Sequence, residues 1–180
     1  TNSEYFLWIS TFVLLSFGTV ILIGRLLGVS HKLSFLLASG TSVCGGTAIA
    51  SVAPSIKAKP EELTTAITIV FLLNAVAVLL FPLANDYLEL SDRQFGAWAA
   101  LAIHDTASVV GAASSVGDIA VEVAATLKVA RTIWIVPLVI FASWLYRTKS
   151  EGFGLPPFVV FFIAAVLLNS YLEPDLLTVS

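Results

Sequence analysis

The sequence predicts an all-α integral membrane protein: a multi-span bundle with two interrupted helices, of the inverted-repeat transporter type. Three observations carry that expectation. Of 180 residues, 58% are hydrophobic and 12% charged, and the mean hydropathy is +0.96. A soluble core that apolar would lack polar surface to face water. The apolar runs are long and unalternating, unlike the short alternating segments of a membrane barrel. Finally, two polar stretches, Ser39-Gly40-Thr41-Ser42-Val43-Cys44-Gly45-Gly46-Thr47 and His104-Asp105-Thr106-Ala107-Ser108, lie inside runs that otherwise read as spans. Lipid offers backbone and ionisable groups no hydrogen-bond partners, so such breaks persist only where protein or a watery cavity surrounds them. Two in one small chain imply a paired site near mid-membrane, and that points to transport.

Residues 5–24 form a first span, closed by Arg25 and followed by a loop with His31 and Lys32. Residues 33–52 are the first interrupted segment. Lys57, Lys59, Glu61 and Glu62 make a charged connector in which Pro60 suits a helix start. Residues 63–81 read as an uninterrupted span ending at Pro82, and a loop over 84–92 carries Asp86, Glu89 and Asp92. Residues 94–115 are the second interrupted segment, closed by Gly117 and Asp118. Residues 119–146 read as one long span containing Pro137, with Arg147 and Lys149 beyond it. A last span covers 155–172, preceded by Pro156 and Pro157. Each stretch of about 20 residues covers a hydrocarbon core of ~30 Å.

Loop cations set the orientation. If both interrupted segments cross, Arg25, Lys32, Arg93, Arg147 and Lys149 share one side, against Lys57 and Lys59. If both re-enter, Lys57 and Lys59 join the larger group and Arg93 alone opposes it. Either count places the loops after the first span and after Tyr146 in the cytoplasm, without choosing between crossing and re-entry. A shift of 65 residues lays Thr41 on Thr106, Gly46 on Gly111 and Ala48 on Ala113, an internal echo of the kind inverted repeats leave. The chain lacks methionine even at position 1, which suggests a piece of a longer protein; residues 1–180 read as a single transmembrane domain.

Seven of the nine residues from Ser39 to Thr47 are Gly, Ser or Thr. Gly40, Gly45 and Gly46 permit backbone conformations that a β-carbon forbids, while Ser39, Thr41, Ser42 and Thr47 add hydroxyls. A helix that stops and restarts here directs free N–H groups into the site, which suits an anion. The alternative is close helix packing, for which small residues also serve. His104 and Asp105 lie mid-segment, where an unpaired charge costs at least ~2.5–3.5 kcal/mol, so both should face partners or a cavity. They form a candidate proton relay, or Asp105 a sodium ligand, with Ser108 beside them; the bland alternative makes Asp105 a helix cap only. Lys128 and Arg131 share one helix face. Arg131 lies about 18 Å deep, fit to compensate Asp105, to bind substrate charge, or to pair with Asp118 or Glu122. Asn74 and Asn169 suit interhelical hydrogen bonds.

Other functions are weighed on the same residues. Ser42 or Cys44 with His104 would make an intramembrane nucleophile–base pair, but no oxyanion-hole signature accompanies them, and the expectation is not an enzyme. A channel would use the same breaks as a filter. There is no basic stripe for nucleic acid, no cofactor motif and no metal-ligand spacing. Cys44 stands alone, so no internal disulfide forms.

At these residues the chain resembles the YeiH-type sulfate exporter family. The likeness covers Ser39 to Ile49, then Ala53-Pro54 and Lys57-Ala58-Lys59, then Ile103 to Val110, and Lys128 with Arg131. It implies the central part of a larger bacterial inner-membrane secondary carrier of ten or eleven spans, distantly similar to bile-acid symporters and sodium–proton antiporters. The substrate so implied is a small anion, sulfate or an organic sulfonate. The first motif and Cys44, Ser108 and Arg131 are then substrate-site candidates, with His104, Asp105 and Lys128 coupling candidates for a proton or sodium ion. A homo-oligomer in the bilayer is compatible with all of this.

Overall fold

A computed structural model describes residues 2–146, and every regular element among them is helical. The expected span at 155–172, with Pro156, Pro157, Asn169, Arg147 and Lys149, lies outside the described residues. Eight helices follow in order: α1 Asn2–Leu26, α2 His31–Ser42, α3 Gly46–Val52, α4 Pro60–Leu88, α5 Asp92–Ala102, α6 Thr106–Ser114, α7 Asp118–Thr132 and α8 Ile135–Leu145. Three stretches are long and apolar enough to cross a membrane: Leu7–Leu26, Pro60–Leu88 and Asp118–Leu145.

Local chemistry starts each element. Ser30 caps α2 by accepting from the Leu33 amide at 3.2 Å. Pro60 opens α4, where Glu62 Oε2 accepts the Lys59 amide at 3.0 Å. Ser91 and Gln94 cap α5 reciprocally, the Ser91 amide donating to Gln94 Oε1 at 3.0 Å. Two sequence expectations change. α4 does not end at Pro82; it runs on to Leu88 and closes at Glu89, whose φ is 49°. Proline removes one donor and displaces one carbonyl, which a long membrane helix absorbs. Conversely, the expected single span over 119–146 turns at residues 133–134, between α7 and α8. Pro137 has no N–H for the Ile133 carbonyl, and the Val136 amide takes that carbonyl at 3.4 Å instead.

The ends of the short helices are paired in space. Ser30 Oγ donates to Glu62 Oε1 at 2.8 Å, and Lys32 Nζ to the Lys57 carbonyl at 2.6 Å. The start of α2 and the start of α4 therefore share one end of the bundle. At the turn between α2 and α3 the Gly45 amide donates to the Gly40 carbonyl at 2.8 Å, so α3 folds back along α2. The second pair behaves alike. A β-carbon on Gly117 would lie 2.8 Å from Asp92 Oδ2, and one on Gly96 would lie 2.5 Å from the Ala120 carbonyl oxygen. The starts of α5 and α7 thus meet at the far end of α4. With 12 and 11 residues, α2 and α5 reach about 18 and 16 Å, roughly half a hydrocarbon core. Two short hairpins, α2–α3 and α5–α6, start near opposite ends of α4 and pack against α1, α4 and α7.

Packing follows from residue size. Phe95, Ala99, Ala100, Val109, Ala112, Ala113, Ala120 and Ala124 make one buried cluster, so α5, α6 and α7 approach closely through alanine. Phe35, Leu36, Ile49, Val52, Val70 and Val139 fill the other. Leu14, Leu15, Leu22, Leu72, Leu79 and Leu80 point outward, as lipid-facing residues do. In lipid the association of helices rests on close contact of small residues more than on burial of apolar area.

Gly96→Ala should therefore lower the melting temperature, by about 1–3 kcal/mol of overpacking, because the Ala120 backbone cannot step aside. Gly111→Ala, where nothing lies within 4 Å, should be neutral or stabilising. In a Cys44→Ser background, cysteines placed at His31 and Lys59 should react with an impermeant maleimide from one membrane face, and cysteines at Arg93 and Asp118 from the other. Labelling of His31 and Lys59 positions from opposite faces would refute the paired ends.

Candidate functional site

The tips of the two hairpins meet. Helical geometry stops at Ser42, passes through Val43, Cys44 and Gly45, and resumes at Gly46. Gly45 has φ 65° and ψ −129°, a backbone region closed to residues with a β-carbon. In the second hairpin Ile103, His104 and Asp105 link α5 to α6, with Ile103 and Asp105 in extended backbone conformations. A β-carbon on Gly45 would sit 3.4 Å from the His104 carbonyl carbon and 3.5 Å from the Asp105 amide nitrogen. The two backbones thus approach so closely at residues 45 and 104–105 that a single β-carbon would fill the gap between them. His104 adds a side-chain link, its Nδ1 lying 3.1 Å from the Thr41 carbonyl. A carbonyl only accepts, so Nδ1 carries the proton and a neutral ring keeps its lone pair on Nε2.

Interrupting a helix leaves the carbonyls of its last turn without amide partners. Here α7 supplies them. Arg131, fully buried, donates through Nη1 to the Ala100 and Leu101 carbonyls at 2.5 and 3.0 Å, and through Nη2 to those of Thr41 and Ser42 at 3.0 and 2.8 Å. Lys128, also fully buried, donates to the Ile103 carbonyl at 3.0 Å and reaches that of Val43 at 3.4 Å. Both cations sit at the negative ends of α2 and α5 together, so one face of α7 ties the two tips. The Arg131 guanidinium also lies 5.3 Å from the Phe12 ring centroid, and its Nε has no partner.

The other sequence-derived candidates take definite places. Asp105 is the N-cap of α6, its Oδ2 accepting from the Ser108 amide at 2.9 Å and the Ser108 hydroxyl at 3.0 Å. The hydroxyls of the first motif turn back onto their own helix. Ser39 donates to the Phe35 carbonyl at 2.7 Å, Thr41 to that of Leu37 at 2.9 Å, and Ser42 to that of Ala38 at 2.6 Å. Those protons are engaged within α2 rather than offered to a ligand. Gly40 is there for contact, since a β-carbon would lie 2.7 Å from Ile49 Cδ1. Gly46 lies under Phe71 of α4. Cys44 is buried, within hydrogen-bond reach of the Ala48 amide and the Thr47 hydroxyl, and Thr47 itself is exposed. Arg131, expected as a substrate or carboxylate partner, has its four Nη contacts on carbonyls of the two tips. Among the described residues, no three His, Cys, Asp or Glu side chains gather to hold a metal ion.

One residue that the sequence suits only for interhelical hydrogen bonding joins this group. Asn74 of α4 is 2% exposed, and its Oδ1 accepts the His104 amide at 3.0 Å. Its Nδ2 has no partner. The only sequence signal was a lone carboxamide within an apolar span, which does not reveal what it faces.

Residues 2–179 match the family described as conserved hypothetical protein 698. The chain belongs to that family. It is 50% identical over 161 residues to a UPF0324 membrane protein of Porphyromonas gingivalis, covering 87% of this chain and 49% of that protein. A UPF0324 membrane protein of Bacteroides thetaiotaomicron is 40% identical over 166 residues, 89% of this chain and 50% of that protein. One of Geobacter sulfurreducens is 42% identical over 164 residues. The chain spans about half the length of the curated relatives it matches. No solved structure is a significant match. The family is one of membrane proteins, in keeping with the three long apolar helices.

Truncating the α7 strut should be costly. Arg131→Gln leaves buried carbonyls at both tips without donors, a loss on the order of 3 kcal/mol or more. Arg131→Lys should rescue little, because one ammonium cannot reproduce a fork that reaches two tips. Thermal unfolding in detergent reads both; wild-type stability of Arg131→Gln would contradict the assignment.

Proposed function

We propose that this chain forms the core of a secondary carrier for a small anion, with sulfate or an organic sulfonate as substrate, coupled to proton movement. The observation that carries the reading is the close approach of Gly45 to His104 and Asp105, where two polar hairpins meet between helices of membrane length. A membrane protein with only a structural role has no need of unwound backbone and ionisable groups at that depth. Carriers place substrate where discontinuous elements of two opposed repeats meet, since access can then alternate around a fixed site. The α2–α3–α4 and α5–α6–α7 units are such a pair in this reading. Their register is the 60-residue shift that lays Gly45 on Asp105, not the 65-residue shift of Thr41 on Thr106. With both hairpins re-entering, Arg25, Lys32, Lys57 and Lys59 fall at one end and Arg93 at the other, so the α1–α2 loop is cytoplasmic in a bacterial inner membrane. The resemblance to the YeiH-type family supports the anion class.

The chemistry divides by residue. The Gly46 and Thr47 amides, ahead of the first intrahelical bond of α3, and the first turn of α6 offer donors to an anion. His104, with Nε2 open, passes a proton to or from Asp105, whose Oδ1 is not used in the cap. An ionised Asp105 repels an anion; protonation on anion entry removes that repulsion, and loss of the proton on the far side weakens binding. The result is symport. Lys128 and Arg131 keep the tips joined and balance the charge through the cycle. A sodium ion at Asp105 would supply the same neutralisation.

Sulfate flux of the full-length protein in proteoliposomes tests this. The wild type should show flux driven by a pH gradient, and Asp105→Asn should retain sulfate exchange while losing its dependence on pH. Unaltered pH dependence in Asp105→Asn, with the wild type active, would remove the coupling assignment. Single-channel currents would replace the carrier by a channel.

A further inference from the structure

We propose that the Asn74 carboxamide is the donor that recognises an oxygen of the carried oxyanion, beside the junction of the two hairpin tips; the inference rests on the carrier reading. The orientation of the amide is fixed by its partner. The His104 N–H is a donor, so the atom facing it at 3.0 Å is the Asn74 oxygen, and Nδ2 must point elsewhere. That Nδ2 is buried with no hydrogen-bond partner, although it carries two protons. Interhelical hydrogen bonding, the ordinary role for an asparagine in an apolar span, accounts for the oxygen and leaves the nitrogen unexplained.

Position supplies the second half of the argument. Phe71, one turn earlier on α4, lies against Gly46 of the first tip, while Asn74 holds His104 of the second. The same face of α4 therefore touches both tips. Beside it begins α6, a nine-residue helix whose Ser108 amide is taken by Asp105. Its first intrahelical bond is from the Val109 amide to the Asp105 carbonyl, so the Thr106 and Ala107 amides precede the ladder. Thr106 and Ala107 are exposed. Asn74 is tied to this helix start through His104, two residues before Thr106, so Nδ2 and these amides are neutral donors in one neighbourhood. Neutral donors around a helix start suit a ligand whose surface is acceptor only, which is the character of a deprotonated oxyanion. Asn74 then serves two ends: its oxygen keeps the second tip extended, and its nitrogen reads the substrate.

Two substitutions separate those roles. Asn74→Asp keeps an oxygen for the His104 amide and removes the donor. Asn74→Ala removes both without adding charge. The full-length protein in detergent is titrated with sodium sulfate, against sodium chloride at matched ionic strength, and the sulfate concentration giving half of the maximal thermal stabilisation is read. The wild type should respond saturably to sulfate. Asn74→Asp should melt below the wild type without ligand, since it buries a carboxylate in an apolar span, and, read against each variant's own ligand-free melting temperature, both variants should need about tenfold more sulfate or more. A wild-type midpoint in Asn74→Ala would overturn the inference, leaving Nδ2 to a bound water and the carrier reading intact. A shift in Asn74→Asp alone would mean charge repulsion and would overturn it equally. If sulfate neither stabilises nor crosses with the wild type, the anion-carrier reading fails and this inference with it.

Discussion

Backbone carbonyls at an interrupted helix end have no water to bond when the interruption lies within a bilayer, and everything else in this fold is arranged around that fact. Unpaired, each would cost a desolvation penalty comparable to a lost hydrogen bond. Arg131 and Lys128 meet six of them: Thr41, Ser42 and Val43 from one hairpin, Ala100, Leu101 and Ile103 from the other. Arginine is suited to bridging because its planar fork presents separate nitrogens to separate acceptors. The two side chains stand three residues apart on α7, so a single helix face serves both tips. Their own charges are in turn stabilised by the negative ends of two helix dipoles.

That arrangement links the hairpins to one another rather than to lipid. Close approach is then a requirement, and the small residues supply it. Gly45 lets one backbone rest on the other; Gly40 admits Ile49; Gly96 and the alanines of α5, α6 and α7 bring α5 near enough for Arg131 to reach its carbonyls. A larger residue at any of these places would separate the tips before it changed any polar group. Packing and polar chemistry in this molecule are one design, since the donors reach their acceptors only because the helices touch.

For function, the consequence is a polar junction with unequal halves. The cations lie on the carbonyl side of both breaks. On the amide side stand Asp105, which caps α6, and Asn74, which holds the His104 amide. Carbonyl ends closed by Lys128 and Arg131, and amide ends left to a carboxylate and a carboxamide, make the two sides of the junction chemically unlike. In the proposed carrier that asymmetry would let a substrate be held and then released.

Much of this was legible in the sequence for simple reasons. Apolar runs of membrane length mark α1 and α4, and glycine, serine and an ionisable pair mark the breaks, because lipid tolerates neither backbone nor charge unpaired. The capping role open to Asp105 also follows from its place just before α6. What residues alone left undecided depends on contacts between distant positions. Ser30 with Glu62 and Asp92 with Gly117 turn the interrupted segments into hairpins, whereas loop cations are compatible with crossing or re-entry. The partners of Arg131 and the role of Asn74 were equally out of reach, since a donor's identity says nothing of which acceptor lies 3 Å away. Sequence by itself determined that this chain lives in lipid and where its helices must fail; only the tertiary structure decided that the two failures face each other, because hydrogen-bond partners are chosen by proximity in space and not along the chain.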